Sequence, residues 1–109
     1  MADTLKVLAQ SNPVAATLTD AYTVPAATST TVSSIVIANR SATATTFRIS
    51  VAVAGAADDV KQYLYYDIAI NGNDSFAATL GITLAATDVV RVYATLATLS
   101  FNIFGVEVT

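Results

Sequence analysis

The sequence predicts an all-β chain: a single antiparallel β-sandwich, jelly-roll-like, covering residues 1–109 with about eight short strands. Short apolar runs with period-two alternation recur at regular spacing between turn residues, the pattern of a sandwich or jelly roll. No window of 11 residues or more carries a capped 3.6-residue apolar period, so no long helix is expected. The length is that of one domain, which buries roughly two-thirds of its unfolded surface and needs neither disulfide nor metal to hold a core. No repeat at the 20 to 50 residue period of solenoids is present.

The elements follow in order. "TLKVLAQS" is a first strand, ended by "NPVAA", where proline fixes φ and removes a ladder donor. "TLTDAYTV" is a second, ended by "PAATST". "SSIVIANRSATATTFRISVAV" then reads as a hairpin: Val32 to Ala38 outward, a tip at Asn39, Arg40, Ser41 and Ala42, and a return from Thr46 to Val53. On the return, Phe47, Ile49, Val51 and Val53 share one face, the alternation of a half-buried strand.

"AGAADD" is a turn, and the Ala-rich "VAGAADDVKQY" around it has the composition for one or two helical turns, with Asp58 and Asp59 ahead of Lys61. In "QYLYYDIAI", Leu64, Tyr66, Ile68 and Ile70 alternate with Tyr63, Tyr65, Asp67 and Ala69, which places Tyr63 and Tyr65 opposite the core face. "NGND" ends that strand with a strong turn signal. "SFAATLGITL" is expected to bend at Gly81. "TDVVRVYATL" and "LSFNIFGVEV" complete the set. In the last, Leu99, Phe101 and Ile103 lie on one face and Phe104, Val106 and Val108 on the other, so a bulge near Gly105 is expected to turn both sets inward.

Composition removes whole classes of function. Cysteine is absent, which excludes a disulfide framework and a thiolate metal site and fits assembly in a reducing cytosol. Histidine is absent as well, and with it the usual general base and the commonest metal ligand. The five basic residues, Lys6, Arg40, Arg48, Lys61 and Arg91, are scattered against eight acidic ones for a net charge of -3, so no basic stripe for nucleic acid exists. No segment approaches the ~20 apolar residues of a membrane span, and "MADTLKVLAQ" has no signal-peptide core, so a soluble, mature chain is expected. Only 12% of residues are charged and 54% are apolar, against about 25% charged in an ordinary soluble domain. An Ala- and Thr-rich skin of this kind is weakly solvated, and burial against copies of itself or another protein is the expectation.

Each candidate for chemistry has a plainer reading beside it. Asp58, Asp59, Asp67 and Asp74 are oxygen ligands in principle, yet "NGNDS" lacks the alternating acids and final bidentate Glu of a calcium loop and reads as a turn with surface carboxylates. Glu107 has no recognisable second acid for glycoside chemistry. A nucleophilic serine would have only Lys6 or Lys61 as base, in no serine-lysine motif, and Gly55, Gly72, Gly81 and Gly105 form no phosphate loop. No enzyme activity and no cofactor are expected, and no catalytic, cofactor-binding or metal-binding residue is assigned. Tyr63 and Tyr65 suit a protein interface or a carbohydrate platform, or else a second buried layer. Arg48 and Arg91 sit mid-strand, either paired with Asp67 or Asp88 across the sheet or simply solvated. Arg40 reads as the cap of an exposed tip and a contact point if the chain docks on a shell.

The run "VSSIVIANRSATATTFRISVAVAGAADDVKQYLYYDIAI", followed by "DSFAATLGITLAATDVVRVYATLATLSFNIFGVEVT", resembles small structural proteins encoded among the virion genes of tailed bacteriophages, over nearly the whole chain. Such all-β families include capsid decoration (cement) proteins and small tail or baseplate components. The resemblance implies a virion protein, assembled in the host cytoplasm, that self-associates (a trimer is the expected order) and docks on other virion proteins such as the major capsid protein, with neither nucleic acid nor membrane as partner. A tail, baseplate or fibre-associated component is the alternative within that class, and a carbohydrate-binding module the alternative outside it. No family binding-site residue maps onto this sequence.

Overall fold

The computed structural model describes residues 2–109. Its strands are β1 (Asp3–Ser11), β2 (Thr19–Thr23), β3 (Ser29–Asn39), β4 (Thr45–Ala52), β5 (Tyr63–Ile70), β6 (Ser75–Leu84), β7 (Val89–Ala94) and β8 (Leu99–Val108). They form two antiparallel four-stranded sheets, sheet A in the order β1-β8-β3-β6 and sheet B in the order β2-β7-β4-β5. Where the composition allowed one or two helical turns beside the expected turn, the chain forms two 3-10 turns, Val53–Gly55 and Val60–Gln62, the second capped where the Asp59 carboxylate accepts from the Lys61 amide.

The sheets face one another across a shared core. Sheet A contributes Val32, Ile35, Ile37, Leu84, Leu99, Phe101 and Ile103, and sheet B contributes Tyr22, Phe47, Ile49, Ile70, Val90, Val92 and Ala94. Phe47 joins the two layers: its ring lies 6.2 Å from Phe101 and 5.5 Å from Phe76, both in the opposite sheet, and 6.3 Å from Tyr65 in its own. Separations of this size are those of attractive aromatic pairs.

Three expectations need correction. First, residues 32–53 are not a hairpin. β3 pairs with β6 and β8, and β4 with β5 and β7, so the chain crosses between sheets at the Arg40 tip. The "NGND" segment likewise links β5 of sheet B to β6 of sheet A. Short polar turns report that the chain reverses and not which strand it will then pair with.

Second, the alternation along β5 is broken. Phe47 pairs with Ile68 and Ile49 with Tyr65, so Tyr66 and Asp67 together oppose Arg48, with Asp67 at φ +52°. A bulge of this kind puts two successive side chains on one face. Tyr65 therefore packs against the core, while Tyr66, assigned to the core face by simple alternation, is 54% exposed.

Third, β8 has no bulge of its own. The slips at its level lie in its neighbours, at Leu8 in β1 and Ser33 in β3, with Leu80 and Gly81 slipping beside Ser33. β8 thus keeps strict alternation: Phe104, Val106 and Val108 face away from the core that Leu99, Phe101 and Ile103 enter. Gly105 lies on the inner side at the crossing of these slips, where a Cβ would come within 2.1 Å of the Thr31 carbonyl oxygen. The three strands can close up there only because that side chain is missing.

Candidate functional site

Two outer faces and one end of the sandwich hold most of the residues singled out above. At the end, the loops after β3, β5 and β7 converge on Asn39. Its buried amide donates to the carbonyls of Thr43 and Asn71, and its side-chain oxygen accepts from the Ser41 amide and the Thr98 hydroxyl. Gly72 packs so tightly under this cluster that a Cβ would sit 2.1 Å from the Ala42 oxygen. Arg40 is exposed, its Nη2 donating to the Ala97 carbonyl at 3.1 Å. The tip is organised by Asn39, a residue that the sequence marked only as part of the turn.

The outer face of sheet B carries two ion pairs and a group of tyrosines, with Val53, Val60 and Leu64 exposed beside them and, among the described residues, no hydrogen-bond partner for the buried Ser50 hydroxyl. The bulge sets Tyr66 and Asp67 on one side of Arg48, and Tyr93 of β7 lies opposite it on the other. The guanidinium donates to Asp67 at 2.6 and 3.3 Å, and its Cζ lies 4.2 Å from the Tyr66 ring centre and 4.3 Å from that of Tyr93. The hydrogen bond to Asp67, ahead of the ring contacts, raises the Arg48 pKa further. Tyr63 meets Tyr66 edge-on at 5.0 Å and donates to Asp58 at 2.9 Å. Burial and that carboxylate raise the Tyr63 pKa. Arg91 takes neither Asp67 nor Asp88. It donates to Asp20 at 2.9 Å and to the carbonyls of Ala56 and Gly55, pinning the 53–62 segment over the sheet. Asp88 instead accepts from the amides of Ala54 and Ala85.

The four aspartates weighed as ligands are thereby dispersed: Asp58 accepts from Tyr63, Asp59 from Lys61, Asp67 from Arg48 and Asp74 from Ser75. Beside the 53–62 segment lies a concavity of about 350 Å³ lined by Val51, Val53, Ala56, Lys61 and Gln62, with no tyrosine on its wall.

The outer face of sheet A has the opposite character. Its cross-strand rows run Leu5, Val106, Thr31; then Val7, Phe104, Ser34, Thr79; then Gln10, Asn102, Val36, Ala77. Leu5 is 86% exposed and Val7 47%, while Phe104, Val106 and Val36 are half-buried by their neighbours. Asp3, at the margin, is the one charged residue on this face among the described residues. Lys6 and Glu107 project to the other side, where Lys6 meets Glu107 at 3.3 Å and Glu107 accepts from the buried Tyr22 hydroxyl of sheet B. The sequence held the signal for this face in the alternate set Phe104, Val106 and Val108, but the expected bulge at Gly105 turned that set inward.

Among comparisons with known proteins, no protein-family model matches this chain, and no curated protein does.

Proposed function

We propose that the chain is a structural protein of a bacteriophage virion, a capsid decoration or cement protein that self-associates and docks on the capsid protein through the outer face of sheet A. The observation that carries this reading is that face: a four-stranded surface of Leu, Val, Phe, Ala, Thr and Ser with one polar pair, Gln10 and Asn102, and, among the described residues, its charge confined to Asp3 at the edge. Contiguous apolar surface of this kind on a soluble domain is characteristic of a surface covered by another protein. The strand orders β1-β8-β3-β6 and β2-β7-β4-β5 further support assigning the fold to the eight-stranded jelly roll, an architecture used by viral capsid domains and lectins.

The tyrosines give the carbohydrate alternative less support than the sequence offered. A sugar platform needs free ring faces, whereas Tyr66 and Tyr93 turn theirs to the Arg48 guanidinium and Tyr65 packs inward. The test is the copy number of the chain in purified particles, by quantitative mass spectrometry against the major capsid protein. Abundance comparable to the capsid protein is expected. A few copies to some tens would move the chain to the tail or baseplate, and absence would overturn the virion role.

A further inference from the structure

The four sheet edges are not protected alike. β2 is five residues long and carries Asp20. β5 is kinked by its bulge and carries Asp67. β1 carries Asp3 and Lys6, slips at Leu8, and has its start tied down where Ala2 and Thr109 exchange two backbone hydrogen bonds. These are the usual devices that keep an edge from pairing with another chain: shortness, charge, and a bulge. β6 lacks the first two. It is ten residues long without a charged side chain, and its first half, Ser75 to Thr79, is in unbroken register with Ala38 to Ser34 of β3. Its one irregularity, at Leu80 and Gly81, lies beyond that stretch. Among the described residues no strand lies on its other side.

We propose that two copies of the chain join through the open edges of β6, antiparallel about a two-fold axis centred near Ala77, to make one continuous eight-stranded sheet. An open edge presents alternating backbone donors and acceptors, and only another extended backbone satisfies them as a row. When the added strand is a second copy running antiparallel, the contact is the same patch on both partners and closes at two, so it does not grow into a fibre. About that axis Ala77 would oppose Ala77, Phe76 would oppose Ala78 and Ser75 would oppose Thr79; with the Phe76 side chain packed against the core, directly opposed Cβ atoms can approach to about 4.5–5.5 Å, and no like charges would be set against each other. Pairing at β6 would also join the outer faces of two copies side by side with Asp3 at the far margins, doubling the surface offered for docking. The inference rests on the self-association in the proposed role, though not on the virion assignment.

The test is sedimentation of the full chain over a wide concentration range, with hydrogen exchange on the same samples. The expected species is twice the 11.3 kDa chain, with the amides of Phe76 to Thr79 gaining protection as concentration rises. Ala77→Lys, which sets two ammonium groups together at the axis, raises the dissociation constant about tenfold or more. Thr79→Lys, whose ammonium would lie opposite Ser75 of the other copy rather than another lysine, raises it by a smaller factor and serves if the first variant misfolds by circular dichroism, whereas Thr23→Lys on the β2 edge leaves the dimer intact. A monomer at all concentrations, a trimer, a dimer indifferent to both β6 lysines, or no added protection in β6 would overturn the proposal. Copy number in particles is read separately, so a monomeric chain found at capsid-like abundance would refute the β6 pairing and leave the virion role standing.

Discussion

The two outer faces of this sandwich are built on the same core and solve opposite problems. Sheet B closes its own surface: Arg48 is held between two tyrosine rings and a carboxylate, and Arg91 fastens a loop across the strands. Sheet A leaves Leu5, Val7, Phe104 and Val106 on a face with no cation and no ion pair among the described residues. One face thus holds its charges in ion pairs and ring contacts, and the other exposes apolar side chains beside, among the described residues, a single carboxylate, Asp3.

Substitutions can break or sharpen this contrast. The largest effect is expected at Gly105→Ala. The added Cβ meets the Thr31 oxygen of the adjacent strand, so β3 and β8 must part and the sheet A face loses its shape. A loss of about 3 kcal/mol or more is expected, the upper range for overpacking, and denaturant unfolding reads it directly. A loss below about 1 kcal/mol would mean that the strands yield easily at this crossing.

On sheet B, Arg48→Ala removes the guanidinium between Tyr66 and Tyr93. Both Arg48 and Asp67 keep solvent contact, so the ion pair is screened, and the expected loss is about 1 kcal/mol, chiefly from the ring contacts. Asp67→Asn, which keeps those contacts, should cost less, and equal losses from the two would assign the stabilisation to charge instead.

Between the faces, the group formed by Tyr22, Glu107 and Lys6 makes stability depend on pH at both extremes. The Tyr22 hydroxyl, then Lys6, hold the Glu107 carboxyl below the usual carboxylate range. Its contribution is therefore fully present above the ordinary Glu value of about 4.3 and is lost as pH falls through the lowered folded value. Burial, then Glu107, push Tyr22 up from 10.0 to about 12. That contribution is intact below pH 10.0 and disappears as pH rises toward about 12. Melting temperature against pH should show both declines, and Glu107→Gln should flatten the acid one. An unchanged acid limb in that variant would remove Glu107 from the account.

The smallest effect is expected at the tip. Arg40→Ala gives up one exposed hydrogen bond to the Ala97 carbonyl and should change stability by no more than about 0.5 kcal/mol. Asn39, the preceding residue at the end of β3, anchors the loops, and a clear fall in melting temperature for Arg40→Ala would mean that the tip leans on both.

The strands themselves were legible because alternation survives in most of them: Phe47, Ile49 and Val51 in β4, and Leu99, Phe101 and Ile103 in β8, lie inward as read, whereas Val53, read with the β4 set, falls in the 3-10 turn after the strand and is exposed. Pairing was not legible, because the segment Asn39 to Ala42 serves a hairpin or a crossing between sheets equally well. The tyrosines misled for a local reason. Asp67, an ordinary residue at positive φ, shifts the alternation by one step, and nothing in "YLYYDIAI" announces it. The sheet A face was missed through a bulge placed one strand away from where the slips occur, beside Gly105 rather than within its own strand.

The most direct test of the contrast between the faces compares particle incorporation of Phe104→Asp and Arg48→Ala, each first shown to be folded by circular dichroism. Phe104→Asp places a charge at the centre of the sheet A face, and its copy number is expected to fall at least tenfold, about 1.4 kcal/mol or more of docking free energy, while Arg48→Ala is incorporated like the parent chain. Full incorporation of Phe104→Asp, or an equal loss from Arg48→Ala, would contradict the assignment of docking to sheet A.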